Sequence, residues 1–159
     1  MNRAVRLIVF IIGISLLVPM ARAQKKSFEA TLSGSNEVPA VDSAAHGRAT
    51  FRLSKSGKSL LYTISVTGIE DPTMAHIHLA AAGKDGPPIV PLYPTKAHPM
   101  KMGKVSGLLA RGDITAAHLV GPMKGKTLAD LLGQIRAGDT YVNVHSKAHP
   151  GGELRGQIE

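Results

Sequence analysis

Short extended runs, cut at regular intervals by glycine and proline, constrain this chain more than any other feature. Phe28-Glu29-Ala30-Thr31-Leu32 alternates apolar and polar and ends at Ser33-Gly34-Ser35-Asn36. Arg48 to Leu53 alternates in the same way and stops at Ser54-Lys55-Ser56-Gly57. Leu60 to Val66 is β-branched and aromatic, and Gly68 closes it. A period of two bounded by turn residues specifies strands, and two such runs joined by a short turn specify a hairpin. The same reading predicts strands over Met74–Leu79, Ile89–Leu92, Val105–Leu109, Tyr141–Ser146 and Glu153–Ile158. Residues 93–103, with Pro94 and Pro99, read as an irregular loop. One helix stands out at 127–136: Thr127 and Asp130 make a capping-box variant, Gly138 can close the end, and Leu128, Leu131, Leu132 and Ile135 share one face. The expectation is an all-β sandwich with one short packing helix.

The N-terminus reads as a processing signal. Arg3 and Arg6 precede a 12-residue apolar run, Leu7 to Val18, and Ala21-Arg22-Ala23 supplies the small-x-small cleavage pattern. The run is too short to span a bilayer comfortably. Residues 1–23 are expected to be a cleaved secretory signal, with residues 24–159 forming one domain. The signal holds three of the 19 basic residues (Arg3, Arg6 and Arg22) and no acid, so the formal charge of +8 falls to +5 after cleavage. Those charges are scattered, and aromatics for base stacking are few, which argues against nucleic-acid binding. The chain has no cysteine. An exported domain without disulfides depends on its core, a metal, or both, and any metal site must be built from histidine, carboxylate, backbone or water.

Two histidines one residue apart, His76 and His78, carry the clearest chemical signal. On a strand they share a face with Cβ atoms roughly 6–7 Å apart, and Ile77 points into the core. Imidazoles at that spacing can converge on one ion about 2.0–2.1 Å from each nitrogen. His145, in the run Tyr141-Val142-Asn143-Val144-His145, is the third candidate. The competing reading is a hydrogen-bonded pair on a half-buried sheet face. Imidazole sets suit several transition metals, and an exported, oxygen-exposed protein points to copper or zinc.

These residues fall into an ordered pattern. It runs through Phe28-x-Ala30-x-Leu32-x-Gly34-x-Asn36-Glu37-Val38-Pro39, then Gly47-x-Ala49-x-Phe51, Ala75-His76-Ile77-His78 and Gly83-x-x-Gly86-Pro87. It ends with Gly138-x-x-Tyr141-Val142-Asn143-Val144-His145-Ser146 and Pro150-Gly151-Gly152-Glu153-Leu154-Arg155-Gly156-Gln157-Ile158. Taken together they resemble the CHRD domain, a module named after chordin and found in bacterial secreted proteins. The resemblance covers essentially all of 24–159 and implies an immunoglobulin-like, Greek-key β-sandwich outside the cytoplasm. It implies no particular reaction. Residues 94–136 are longer and more lysine-rich than the pattern needs and read as a variable loop and helix insertion. The order of histidines is also similar, more faintly, to copper–zinc superoxide dismutases, where His76, His78 and His145 would map onto three copper ligands. The zinc-binding loop and the cysteines of those enzymes are missing.

The remaining polar residues are expected to form a structural network. Asn143 shares a face with Tyr141 and His145, while Glu153, Arg155 and Gln157 share a face of the last strand. Arg155 is expected to pair with Glu37 or Glu153, and Asn143 to satisfy a loop backbone. From there they can orient a ligand histidine through its second ring nitrogen. Asn36 and Glu37 are expected to fix a turn. His98 and His149 are accessory metal candidates. No Ser-His-Asp arrangement, phosphate loop or reasoned carboxylate pair is present, so a hydrolase is not indicated. The leading expectation is an exported, non-enzymatic binding module with a histidine metal site and an unidentified protein or envelope partner. The alternatives are a copper-dependent, superoxide-handling oxidoreductase with Arg155 as its anion guide, and a structural interaction domain without metal.

Overall fold

A computed structural model describes residues 24–159, so the expected signal at 1–23 lies outside the described residues. Eight strands follow one another: β1 Ser27–Ser33, β2 His46–Leu53, β3 Leu60–Glu70, β4 Pro72–Leu79, β5 Pro88–Tyr93, β6 Lys104–Ile114, β7 Thr140–Ser146 and β8 Leu154–Gln157. Among the described residues a single α-helix, α1 Leu128–Ala137, precedes β7. The alternating runs became strands because every second side chain is apolar. Phe28, Ala30 and Leu32 of β1 are buried, as are Ala49 and Phe51 of β2 and Leu60, Tyr62, Ile64 and Val66 of β3. The β2–β3 turn lies where Ser54-Lys55-Ser56-Gly57 places it, with Gly57 at φ 72°.

All pairings are antiparallel, in the order β5-β4-β7-β8-β1-β2-β3-β6. The sandwich layers are therefore two halves of one continuous sheet. The sheet rolls until its ends approach: the Tyr62 hydroxyl of β3 donates to the Leu92 carbonyl of β5 at 2.7 Å in the buried interior. Beyond β6, the Val120 amide donates to the Ile89 carbonyl at 2.9 Å and covers part of the β5 edge.

Inside the span 94–136, β6 runs for 11 residues, longer than the predicted 105–109, and pairs along β3. This stretch is an integral strand of the sheet. The bulge between Ile64 and Ser65 and the Gly107 backbone at φ 99° broke the alternation that would have marked its full length. Helix α1 begins as its sequence dictates. The Thr127 amide donates to Asp130 Oδ2 at 2.8 Å, the Asp130 amide donates to Thr127 Oγ1 at 3.2 Å, and Gly138 closes the end in the left-handed region at φ 78°. Leu131, Leu132 and Ile135 join the core.

The β4, β7 and β8 register positions the site. On the inner face Ala75, Val144 and Leu154 form one row, and Ile77, Val142 and Gly156 form the next. Burying an aliphatic side chain such as Ile77 contributes roughly 2 kcal/mol, which fixes the register and sends the alternate residues outward. At Gly156 a Cβ would lie 2.3 Å from the Thr31 carbonyl oxygen. Gly156→Ala is therefore expected to destabilise the protein by at least about 2 kcal/mol, while Gly151→Ala, which meets open space, stays within about 0.5 kcal/mol. Thermal unfolding of the two variants distinguishes these outcomes.

Candidate metal centre

The outer face of β4, β7 and β8 carries a polar grid where a sheet surface would ordinarily meet water. His76, Asn143 and Arg155 form one cross-strand row, and His78, Tyr141 and Gln157 form the next. His145 sits opposite Met74. Every residue of β7 is buried, on both faces. Three segments cover the outer face: residues 80–87 between β4 and β5, residues 34–45 between β1 and β2, and the 147–153 turn between β7 and β8.

The structure brings His76, His78 and His145 together, with one possible ligand atom from each lying within 4.8 Å of the others. His78 Nδ1 donates to the Gly86 carbonyl at 2.9 Å, and His145 Nδ1 donates to the Pro150 carbonyl at 3.0 Å. Each carbonyl demands a proton on Nδ1, so Nε2 of each ring keeps its lone pair. His78 Nε2 is buried and has no hydrogen-bond partner. His145 Nε2 lies 3.4 Å from His76 Nδ1. Two nitrogens bound tetrahedrally at 2.0–2.1 Å stand about 3.3 Å apart, so this pair already has ligand spacing. The His78 ring stacks on Tyr141 with centroids 4.9 Å apart.

Burial holds all three imidazoles neutral. Desolvation lowers His76 to about 4, with help from the neighbouring His145 and His78. It lowers His78 and His145 as well, against the opposing pull of their carbonyl acceptors. A neutral ring with a free, inward-facing nitrogen is the form that binds a metal. The carbonyls of Gly86 and Pro150 fix the ring orientations from behind, as second-nitrogen partners do for ligand histidines. His98 lies in the loop after β5 and His149 in the turn after β7, and neither is in the cluster.

The surrounding polar residues pair differently from expectation. Arg155 meets neither Glu37 nor Glu153. Its Nη1 donates to Asp85 Oδ1 at 2.7 Å, its Nη2 donates to the Lys84 carbonyl, and its guanidinium lies 3.5 Å from the Tyr141 ring centroid. The 80–87 loop folds back over the sheet and reaches Arg155 first, a partner 70 residues away that local spacing does not reveal. Asn143 donates to Glu37 Oε2 at 3.1 Å rather than to a loop backbone. Glu153 accepts from Ser43 Oγ at 2.7 Å, and Gln157 donates to the Ala80 carbonyl at 3.1 Å. Arg155 is also only 2% exposed and paired. Its charge is answered inside the fold and is not presented to an incoming anion, unlike the guiding arginine that the oxidoreductase reading expects.

Sequence reasoning missed the supports of the site: Gly86, Asp85, Tyr141, Pro150 and Gly152. A Cβ on Gly86 would lie 1.9 Å from the Leu79 carbonyl oxygen, so only glycine lets this carbonyl reach His78. The Gly83-x-x-Gly86-Pro87 spacing was the available signal. Glu37 does close its turn, its amide donating to the Gly34 carbonyl at 3.1 Å, while its side chain is buried against Asn143. Burial pushes its carboxyl up to about 7, with the Asn143 hydrogen bond and Arg155 acting against the rise. Asn36 does secure its turn, donating to the carbonyls of Thr31 and Arg155.

These supports make two predictions. In the metal-free protein His76 resists protonation that the unfolded chain accepts, so stability present above pH 6.5 is lost as the pH falls toward about 4. Glu37 acts oppositely: stability present below pH 4.5 is lost as the pH rises through about 7. Melting temperatures measured from pH 4 to 8 are expected to show the acid slope flattened in His76→Gln and the neutral-range slope flattened in Glu37→Gln. Arg155→Lys keeps the charge but loses the paired donors and the ring stacking. It is expected to cost about 1–3 kcal/mol and to speed hydrogen exchange at the Gly86 amide, which donates to the Tyr141 hydroxyl.

A family model for the CHRD domain matches residues 28–158. No curated protein matches the chain.

Proposed function

We propose that this chain, which belongs to the CHRD domain family, is an exported binding module that holds one copper or zinc ion with His76, His78 and His145. One observation carries the reading: a buried, unpartnered His78 Nε2 beside two further neutral imidazoles. An orphaned buried nitrogen costs about 1–3 kcal/mol, and a metal ion removes that cost. The donor set is chemically suited, because all three ligands are imidazoles and the chain offers no thiolate. When bound there, copper supplies one-electron chemistry and zinc supplies Lewis acidity. Export is supported by the basic, apolar and small-residue pattern of residues 1–23. Among the described residues no helix is long and apolar enough to cross a membrane.

The test is titration of the purified protein with copper(II) and with zinc(II), followed by metal analysis. One ion per chain is expected, with the stoichiometry lost in His76→Ala and His78→Ala. Metal at a hundred times its dissociation constant is expected to add about 2.7 kcal/mol of stability, reversed by a chelator. Unchanged stoichiometry in both variants would assign the histidines to a metal-free hydrogen-bonded cluster, in which His76 Nδ1 simply donates to His145 Nε2.

A further inference from the structure

The three histidines share their sheet face with a sulfur. Side chains alternate along β4, so Met74, His76 and His78 point outward together while Ala75 and Ile77 are buried. Met74 is paired directly with His145 across the β4–β7 ladder. Directly opposed residues have Cβ atoms about 4.5–5.5 Å apart. Met74 also lies two residues from His76, a Cβ separation of roughly 6–7 Å. By register it stands beside His145 and one place along the β4 face from His76, on the side away from His78.

The two sides of the cluster differ. The His78 side is closed by Tyr141 and the 80–87 loop. The Met74 side is open: His76 is half-buried and Met74 is 41% exposed. On this open side the neighbouring side chain is a flexible thioether with three rotatable bonds, free to turn toward the histidine cluster. Packing does not account for Met74, because a side chain so exposed gains little from burial. The chain has no cysteine, and Met123 is buried in the core.

We propose that Met74 supplies a thioether ligand, completing a three-histidine, one-methionine set that selects cuprous copper over zinc. Soft thioether donors favour copper(I), whereas zinc prefers imidazole, carboxylate and thiolate. The inference rests on the histidine site proposed above and names the ion that site is built for.

The experiment measures affinity for copper(I), kept reduced with ascorbate under anaerobic conditions and competed against a chromogenic chelator, and separately for zinc(II). Met74→Leu conserves volume and apolarity at an exposed position, and its melting temperature is compared with that of the parent protein. The expected result is at least a roughly tenfold loss of copper(I) affinity in Met74→Leu, with zinc(II) affinity changed by less than about twofold. X-ray absorption of the copper(I) form is expected to show a sulfur shell in the parent protein that disappears in the variant. Met102→Leu, on the loop before β6, is expected to retain parental copper(I) affinity. Unchanged copper(I) affinity in Met74→Leu, an equal loss for both metals, or an equal loss in Met102→Leu would overturn the assignment of Met74 while leaving the histidine site intact. Failure of the histidine site itself has a different signature: the parent protein and His76→Ala would bind both metals equally poorly.

Discussion

Arg155 makes the contacts on which the histidine-bearing face depends. A guanidinium at 2% exposure must have its charge and its donors answered, because an unpaired buried charge is among the costliest features a fold can carry. Asp85, the Lys84 carbonyl and the Tyr141 ring answer it together. Asp85 is itself largely exposed, so the pair straddles the boundary between the sheet and solvent. Meeting this demand draws the 80–87 loop down onto the sheet. Once the loop is down, Gly86 faces His78, Tyr141 is covered, and the outer face of β7 is buried.

The histidine site follows from that covering. On an open sheet surface three imidazoles would be hydrated and would titrate near neutrality. Under the loops they lose water, and desolvation is the largest cause of lowered basicity for each of them. Two backbone carbonyls then set which nitrogen carries the proton. The rings are thus neutral, oriented and short of partners on one side. Glu37 and Asn143 occupy the adjacent part of the same face, each with one buried oxygen unpartnered. They hold the 34–45 loop as Arg155 holds the 80–87 loop. At Gly152, φ 137° and the space beside Asn143 and Glu37 leave no room for a side chain.

Much of this was legible in the residues. Alternation located β1 to β5, β7 and β8 to within a few residues, because one face of each strand is packed on the core. The Thr127–Asp130 cap and the Gly138 stop defined the helix, since capping is chemistry between neighbours in sequence. The His76–His78 spacing placed both rings on one face for the same local reason. The length of β6 was not legible, because a bulge and a glycine interrupt its period. Nor was the partner of Arg155, because 70 residues of chain separate it from Asp85.

By itself the sequence determined the all-β character, the capped helix, the shared face of His76 and His78, and membership of the CHRD pattern. Each of these rests on periodicity, or on motifs whose parts lie close together in the chain. The tertiary structure alone decided that His145 meets that pair, that Met74 stands opposite it, and that loop carbonyls hold the rings. It also decided that Arg155 is buried as a tether and is not exposed as a guide. The reason is register. Which residue of β7 lies across from which residue of β4 is set by burying Ile77, Val142 and Val144 on the inner face, and strand periodicity carries no information about that offset.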